Sequence, residues 1–421
     1  MGALLTAAVP DTSSPRPALP RFVWFELFLV LILAPLLAFP PLGHPWLLFV
    51  AFLLPVLWLI KPLPITPLNG SLLLLVASVL LSLTASFDIA YSTGKVFGVV
   101  LGAAIFFAVV RAIRSRRVLD FAIETYAAAG GALAAIGILG TNWIGKIGAL
   151  QSLTAHVPAV IRGVPGQQEG FQPNAIAGAL LFFIPLQLAL VISGRRRVLA
   201  VLLLLFTSGV FLLTQSRNGW LSLAVAMGAW AIWQSRGRLR RVFVGAVIVV
   251  AIVSAAFWTY GGSRLSERVV GGGLSNDVES RVELWSRAIY MIEDFPFTGI
   301  GMNNFRRVMP VMYPVFLTPP DYDVAHAHNQ LLNTGAELGV PGLVAYIAIL
   351  LGVATMLVRT SRTTTDARLR WIAAGLGAGF LAFFGFGMAD AIALGAKVGI
   401  VFWAALALVV AVDACSREMS S

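Results

Sequence analysis

The stretch AHAHNQLLNTGAELGVPGLVAYIAILLGVATMLV, residues 325–358, joins a polar loop to a long apolar run. From residue 338 the run is long enough to cross a bilayer core, which takes about 20 apolar residues in a helix. His326 and His328 stand before it, at the end of a polar loop that covers 261–337. Because 58% of the chain is hydrophobic, we expect its chemistry to lie in this loop.

The composition indicates an integral membrane protein. Charged residues make up 12% of the chain, against about a quarter in soluble proteins. Apolar runs in a membrane must be helical, because no water satisfies the backbone there. We predict an all-α polytopic fold, a single membrane domain over 1–421, with about twelve transmembrane helices. Their expected positions are 22–40, 44–60, 70–86, 95–111, 118–140, 174–193, 197–213, 218–234, 241–260, 338–358, 370–389 and 395–413.

The two ends of the chain add little chemistry. The apolar run that begins at Phe22 is long and lacks a cleavage site after it, so we interpret it as a first anchor rather than a signal peptide. Cys415 is the single cysteine, which excludes an internal disulfide framework and a cysteine-based metal site.

Arginine clusters predict the orientation. The net charge of +11 is gathered in four short loops rather than spread as a nucleic-acid surface would be. Each loop follows an even number of predicted crossings; the loops hold Arg111, Arg114, Arg116 and Arg117, then Arg195, Arg196 and Arg197, then Arg236, Arg238, Arg240 and Arg241, then Arg359, Arg362, Arg368 and Arg370. The positive-inside rule places these loops and both termini in the cytoplasm. Segments 141–173 and 261–337 then face outward.

The larger outward loop has a helical pattern of its own. Over 278–292, the residues Val282, Trp285, Ile289 and Ile292 recur at helical spacing between charged residues. This predicts an amphipathic helix that can lie on the bilayer surface.

His326 and His328 are candidates for acid–base chemistry. They are two of the four histidines in the chain, and a histidine near neutral pH is a natural general base. Two alternatives stay open: the pair caps the helix that follows, or it holds a metal ion. No clear ligand cluster accompanies the pair, since Asp321 and Asp323 are explained as loop residues, so we predict no metal.

Polar residues from other regions are predicted to share the outer face with His328. Arg217, Arg281 and Arg287 lie outside the cytoplasmic clusters, and guanidinium groups bind phosphate oxygens in pairs. The alternatives are a snorkelling side chain for Arg217 and solvated helix faces for the other two. Asn174 is also a candidate, although an N-cap role would explain it.

Ionisable residues inside the predicted spans are few. Glu124 in the fifth helix and Asp390 near the outer end of the eleventh are functional candidates by default, and we expect both to make polar contacts within the bundle. Their scarcity argues against an ion-coupled transporter.

At these residues the sequence resembles the O-antigen ligase and polymerase superfamily of bacterial polysaccharide assembly. The ligase signature is a histidine, then Asn, Ser or Gln, nine residues, Gly, two residues and Gly. His328, Asn329, Gly339 and Gly342 meet that spacing, and Leu343 departs from the Val, Thr or Tyr that tends to follow. Further landmarks cover about 170 residues in the family's order: Pro173-Asn174, Ser216-Arg217-Asn218-Gly219, Arg281-x-x-x-Trp285 and Pro296-x-x-Gly299-x-Gly301.

The resemblance implies a GT-C-like fold in the bacterial inner membrane, with both termini cytoplasmic and a periplasmic active site. Such proteins move a glycan from undecaprenyl diphosphate to an acceptor hydroxyl, with inversion and without a cofactor or metal. Carried over, His328 would deprotonate the acceptor while Arg217 and Arg281 hold the diphosphate. Arg287 is a second choice for the latter role, and His326, Asn329 and Asn174 would contact substrate.

Three outcomes within the superfamily stay open. A ligase, which the histidine signature favours, transfers a finished glycan to lipid A-core; a polymerase extends a growing chain, and a protein O-oligosaccharyltransferase glycosylates a protein. A lipid-linked glycan transporter or flippase is the alternative from another class. Transporters typically show interrupted helices in two related halves, whereas polar complexity here is concentrated in one outward loop. The motifs do not predict the sugar or the oligomeric state.

Overall fold

The computed structural model describes residues 21–38, 53–143, 154–157, 160–161, 170–194, 196–235, 237–238, 241, 273–317 and 323–418. The ninth predicted helix (241–260, apart from its first residue), the first part of the second, and most of the loop at 141–173 lie outside these ranges. So do Arg195, Arg236, Arg240 and Asp321.

The described residues are helices and short connections, without a named β-strand. The longer helices are α1 (Arg21–Ala38), α2 (Leu53–Ile60), α3 (Asn69–Ser82), α4 (Ile89–Ala112), α5 (Arg116–Gly140), α6 (Pro173–Leu180), α7 (Phe183–Ser193), α8 (Arg197–Leu213), α9 (Arg217–Gln234), α10 (Gly273–Asp294), α11 (Phe305–Met312), α12 (Gln330–Thr363), α13 (Ala367–Gly387) and α14 (Ile400–Glu418).

The all-α polytopic prediction is confirmed. Within the described ranges, 7 helical segments are long and apolar enough to cross a membrane: Arg21–Ala38, Ile89–Ala112, Arg116–Gly140, Pro173–Ser193, Gln330–Thr363, Ala367–Gly387 and Lys397–Glu418. Shorter apolar helices cover Asn69–Ala85 and Arg197–Leu213. The total of twelve crossings stays a prediction.

Ion pairs gather the arginine-rich helix ends on one side of the bundle. They join Arg111 to Glu26 (2.8 Å), Arg116 to Asp366 (2.9 Å), Arg368 to Asp120 (3.1 Å) and Glu124 (3.2 Å), and Arg359 to Asp413 (2.6 Å). We call this side the arginine end. Glu124 therefore makes the polar contact predicted for it. Helices α12 and α13 run between this end and the opposite one, which carries His328 and Asp390.

Helix α12 begins at Gln330, eight residues before the predicted start, and bends at Gly339. Gly339 has φ 69° and ψ −177°, a conformation inside the helix that only glycine adopts readily. The polar residues of the signature segment are therefore helical, because Asn329 caps the helix ahead of them. The sequence analysis did not predict this first part of α12, because residues 330–337 do not form a continuous apolar run.

The bend at Gly339 receives the turn after α10. Val340 N–H donates to Pro296 O (2.7 Å), and Ile300 N–H donates to Ala336 O (2.9 Å). A Cβ atom on Gly339 would lie 2.7 Å from both Pro296 O and the carbonyl carbon of Phe297. The glycine signature thus provides a close backbone contact that fixes the turn against α12.

Helix α10 packs against α12 through a row that the sequence analysis did not name. Leu284, Ala288 and Met291 are buried, whereas Val282 is 55% and Ile289 43% exposed. Val282 and Ile289 belong to the apolar row predicted to lie on the bilayer surface, and that placement stays a prediction. The contacting row is instead set by i, i+4 and i+7 spacing and includes a small alanine.

A buried asparagine attaches the segment before α11 to the connection between α3 and α4. Asn304 is fully buried and donates through Nδ2 to Ser86 Oγ and Ser92 Oγ, each at 2.7 Å. Its Oδ1 accepts from Asp88 N–H at 3.0 Å. Residues 295–312 are therefore held between α12 and the start of α4.

Candidate active site

The end of α13 and the turn after it, residues 386–390, collect side chains from α6, α9 and α10 and from Asn329, the residue that caps α12. We call these five residues the turn after α13. Each donor lies on, or next to, a residue that the sequence had selected. Three of the hydrogen bonds go to carbonyls of this turn: Asn218 Nδ2 to Phe386 O (2.8 Å), Asn329 Nδ2 to Met388 O (3.4 Å) and Arg281 Nη1 to Ala389 O (2.6 Å). Arg217 and His328 are the neighbours of these two asparagines, so the turn positions both.

Asp390 is the centre of the cluster. It is 5% exposed, and its Oδ1 lies 3.4 Å from His326 Nε2 and 3.7 Å from His328 Nδ1. Its Oδ2 accepts a hydrogen bond from Asn174 Nδ2 at 2.9 Å. One carboxylate therefore joins three predicted site residues from two separate parts of the chain.

The surroundings of the two histidines favour one tautomer of each. His326 Nδ1 accepts from the backbone N–H of His328 at 3.2 Å, so neutral His326 carries its proton on Nε2, facing Asp390. His328 Nδ1 lies 3.7 Å from the same carboxylate, just beyond hydrogen-bond distance, and the negative charge there favours a proton on Nδ1 and a lone pair on Nε2. That is the arrangement of a general base oriented by an acid.

His328 has an unusual backbone. Its φ is 49°, a left-handed conformation that is uncommon for a residue with a side chain. Such strain clusters at functional sites. Here it brings the two rings into an edge-to-face contact with centroids 4.4 Å apart.

Burial sets the charges of the cluster. It lowers the pKa of His326 to about 4, an effect that Asp390 opposes and that the positive charges of Arg306 and Lys95 reinforce. Burial raises the pKa of Asp390, but hydrogen bonding and charge from the two histidines outweigh it, and the pKa lies below the usual value. At neutral pH, His326 is neutral and Asp390 is ionised.

The capping alternative for the histidines does not hold. Asn329 is the N-cap of α12, and its Oδ1 accepts from Leu331 N–H (3.0 Å) and Leu332 N–H (3.1 Å). Because its amide nitrogen also reaches Met388, Asn329 is engaged within the protein and positions His328.

The N-cap alternative for Asn174 is also corrected. Gln172 occupies the cap position of α6 and Pro173 the first turn, so Asn174 lies one residue into the helix. Its side chain is therefore free to point across to Asp390.

The three predicted arginines differ in their surroundings. Arg217 is exposed at the start of α9 and has no hydrogen bond or ion pair with any described residue. Arg281 uses one guanidinium nitrogen on Ala389. Arg287 is not brought to the turn: it contacts Glu283 (3.3 Å), Pro314 O (2.9 Å) and the ring of Phe316. Arg217 and Arg281 are thus the arginines available to a ligand here.

His326, His328 and Asp390 also have the chemistry of a metal site. Their ligand atoms lie within 4.8 Å of one another, and two imidazoles with a carboxylate suit zinc. Against a dication stand the positive charges of Arg306 and Lys95, which act on His326, and of Arg281 beside Asp390. We therefore still predict that this site works without a metal ion.

Comparison with known proteins relates part of this chain to one family. Residues 199–347, about a third of the chain, match the O-antigen ligase family model. This part of the chain is similar to the O-antigen ligase family. The matched segment includes Arg217, Arg281 and His328, whereas Asn174 and Asp390 lie outside it.

Curated relatives match a smaller part of the chain. Uncharacterized transporters of Mycobacterium bovis and Mycobacterium tuberculosis are 30% identical over 138 residues, which is 32% of this chain. The match spans 22% of the length of each relative. The name transporter applies to those relatives and is not carried over to this chain.

Sequence reasoning underestimated Asp390. We expected a polar contact within the bundle, and the structure makes it the residue shared by both histidines. The available signal was its rarity: an acid at the end of an apolar span. For Asn218, the only feature of the sequence that could have indicated a role in the site is its position next to Arg217.

Proposed function

We propose that this protein is an O-antigen ligase-type glycosyltransferase that acts at the periplasmic face of the bacterial inner membrane. It would move a glycan from undecaprenyl diphosphate to an acceptor hydroxyl, that of lipid A-core, with inversion and without a metal. The observation that carries the proposal is the convergence of Asn174, Asn218, Arg281 and the two histidines on residues 386–390.

His328 is the general base. Asp390 keeps the proton of neutral His328 on Nδ1, so Nε2 can take the proton of the acceptor hydroxyl. As the proton moves, the acceptor oxygen bonds to the anomeric carbon. The imidazolium that forms is stabilised by the ionised carboxylate beside it, as in other His–Asp pairs.

Arg217 and Arg281 bind the diphosphate. When the bond between the anomeric carbon and the diphosphate oxygen breaks, its electron pair leaves on that oxygen. Guanidinium groups that are already oriented stabilise this charge at low reorganisation cost. Arg217 also lies in the first turn of α9, where the helix dipole favours an anion. Attack from the side opposite the diphosphate inverts the anomeric carbon.

The arginine distribution supports the location. The clustered arginines lie at the end of the bundle remote from Asp390, and the positive-inside rule assigns that end to the cytoplasm. The site then faces the periplasm. The apolar tail of the donor would remain in the membrane while its diphosphate meets the arginines.

Other functions share part of this support. A polymerase or a protein O-oligosaccharyltransferase would use the same base and the same diphosphate site, with a different acceptor. A lipid-linked glycan transporter is the candidate from another class, and the names of the mycobacterial relatives favour it. A transporter needs cations for the diphosphate but no base at His328.

The test is a transfer assay in proteoliposomes with undecaprenyl-diphosphate-linked glycan, candidate acceptors and EDTA. Wild-type protein is compared with His328→Ala and Arg217→Ala. Arg117→Ala is the matched control, because Arg117 is also exposed in the first turn of a helix, at the arginine end. We expect product from wild type and Arg117→Ala only, and the acceptor consumed separates ligase, polymerase and protein glycosylation. Movement of the lipid between leaflets without product would contradict the proposal and favour a transporter.

A further inference from the structure

Gln330 is a buried polar residue to which the proposed reaction gives no role. It follows His328 and Asn329 in the sequence and is the first residue of α12. Because it is only 3% exposed, the oxygen and the nitrogen of its amide both need partners inside the protein.

The amide oxygen of Gln330 binds the chain just beyond the turn after α13. Ile392 N–H donates to Gln330 Oε1 at 2.8 Å. Ile392 is two residues after Asp390, and the N–H of Ala391 between them donates to Asp390 Oδ1 at 2.8 Å. The side chain also packs on the end of α13, where a Cβ atom on Gly387 would lie 3.0 Å from Gln330 Cβ. Gln330 therefore holds the backbone that directs the Asp390 carboxylate.

Thr334 fixes the orientation of the Gln330 amide. The Thr334 hydroxyl donates to the backbone carbonyl of Gln330 at 2.7 Å, one turn earlier on α12. The oxygen of that hydroxyl then accepts from Gln330 Nε2 at 3.3 Å. Because the amide nitrogen is engaged there, the amide oxygen is the atom that faces the Ile392 N–H. Thr334 is itself buried, so the amide is oriented before any substrate binds.

The same stretch of backbone is packed against α6. Asn174 of this helix donates to Asp390 Oδ2 at 2.9 Å. Gly178 lies one turn further along α6, and a Cβ atom there would lie 2.5 Å from Ile392 Cδ1. Asp390 and Ile392 are thus held by α6 and, through Gln330, by the first turn of α12.

The hydrogen bond from Ile392 to Gln330 helps to set the distance between the proposed base and its acid. His328 lies two residues before Gln330, and its Nδ1 is 3.7 Å from Asp390 Oδ1. Asn329 also joins α12 to the turn, but its bond to Met388 O is 3.4 Å long and therefore weaker than the 2.8 Å bond to Gln330. Without Gln330, the Asp390 carboxylate can move relative to the His328 ring.

We propose that Gln330 is a positioning residue for the transfer reaction: it holds Asp390 where its carboxylate can orient His328 and stabilise the imidazolium. This inference rests on the proposed transfer function. Gln330 acts on the rate through Asp390 and does not itself contact the donor or the acceptor.

The test is a double-mutant cycle measured in the transfer assay. Gln330→Met keeps the length of the side chain and removes both hydrogen bonds of its amide. It should lower kcat by roughly 10- to 100-fold, as expected when a group is misplaced by about 1 Å, and leave the KM of the donor unchanged. In an Asp390→Asn background the carboxylate is already lost, so the same substitution should lower kcat by less than roughly 3-fold.

Gln187→Met is the matched control. Gln187 is also a fully buried glutamine, and its amide donates to Ala127 O (3.0 Å) and Thr207 Oγ1 (3.1 Å) within the bundle. Its loss should leave kcat at the wild-type value. If Gln330→Met lowers kcat by the same factor with and without Asp390, or raises the donor KM alone, Gln330 does not act through Asp390 and the inference is overturned.

Thr334→Val is a milder variant that serves if Gln330→Met does not fold. It leaves Gln330 in place and removes only the partner of the amide nitrogen, so kcat should fall by roughly 2- to 10-fold. This fall should also disappear in the Asp390→Asn background, and its persistence there would overturn the inference.

A measurement on the histidines separates this inference from the transfer function. In solid-state NMR of protein with ¹⁵N-labelled histidine, the His328 signals are assigned by their absence in His328→Ala. Gln330→Met should lower the share of His328 that carries its proton on Nδ1, and an unchanged share would overturn the inference. If wild type transfers glycan to no acceptor while Gln330→Met still changes this share, the proposed transfer function fails and the positioning of Asp390 by Gln330 stands.

Discussion

Gly339→Ala tests whether the first glycine of the histidine signature holds the turn after α10 against α12. With φ 69° and ψ −177°, the position lies in a region that costs other residues about 1–3 kcal/mol. The added Cβ atom would lie 2.7 Å from Pro296 O, so the turn must move away. That movement breaks the bond from Val340 N–H to Pro296 O (2.7 Å), worth about 1 kcal/mol. We expect the attachment of the turn to α12 to weaken by about 2–4 kcal/mol.

The assay for this variant is hydrogen exchange in detergent, followed by the transfer assay. Amides in 295–312 should exchange about 30- to 1,000-fold faster than in wild type, if they exchange by local opening, and transfer should fall because Arg281 and α12 lose their common support. Gly228→Ala is the control, since a Cβ atom there meets nothing within 4 Å; helix propensity makes it neutral or stabilising. If amides 295–312 in Gly339→Ala exchange as slowly as in wild type and transfer is unchanged, Gly339 does not fix the turn against α12.

Three further predictions follow from the same contacts. Asp390→Asn should keep donor binding and lower the transfer rate by roughly 100- to 10,000-fold, because the amide no longer fixes the His328 tautomer; an unchanged rate would remove Asp390 from the account. Asn304→Ala should destabilise the protein by about 1–3 kcal/mol in thermal unfolding, because it removes the hydrogen bonds of a buried side chain to Ser86, Ser92 and the backbone N–H of Asp88, and an unchanged Tm would contradict this. Stability should fall as the pH drops from about 6.5 to 4, because His326 stays neutral when folded, with a pKa of about 4, and is protonated when unfolded; His326→Gln should show a shallower fall.

The parts of the structure predicted correctly from sequence depend on local patterns. Apolar runs identify the spans, because the hydrocarbon core imposes a helix on each of them. The arginines identify one end of the bundle, and that end is also where the ion pairs of Arg111, Arg359 and Arg368 form. Arg217, Arg281 and His328 were selected from motifs, and the structure brings residues from each motif to one turn.

The parts that sequence missed depend on how distant segments pack. Asp390 meets Asn174 across 216 positions of sequence, which no helical period encodes. Helix α12 starts earlier than predicted because a cap, not hydrophobicity, determines its first residue. The row of α10 that packs on α12 was not predicted, because the small side chain of Ala288 fits the space against α12 and does not stand out by its hydrophobicity.

The most direct test of the account is chemical rescue of His328→Ala by imidazole in a single-turnover transfer assay. The variant should bind undecaprenyl-diphosphate-linked glycan as wild type does and transfer it at least roughly 100-fold more slowly, as expected for a lost general base. Added imidazole should restore part of that rate in His328→Ala and have no effect on wild type. Transfer by His328→Ala at the wild-type rate would show that His328 is not the base.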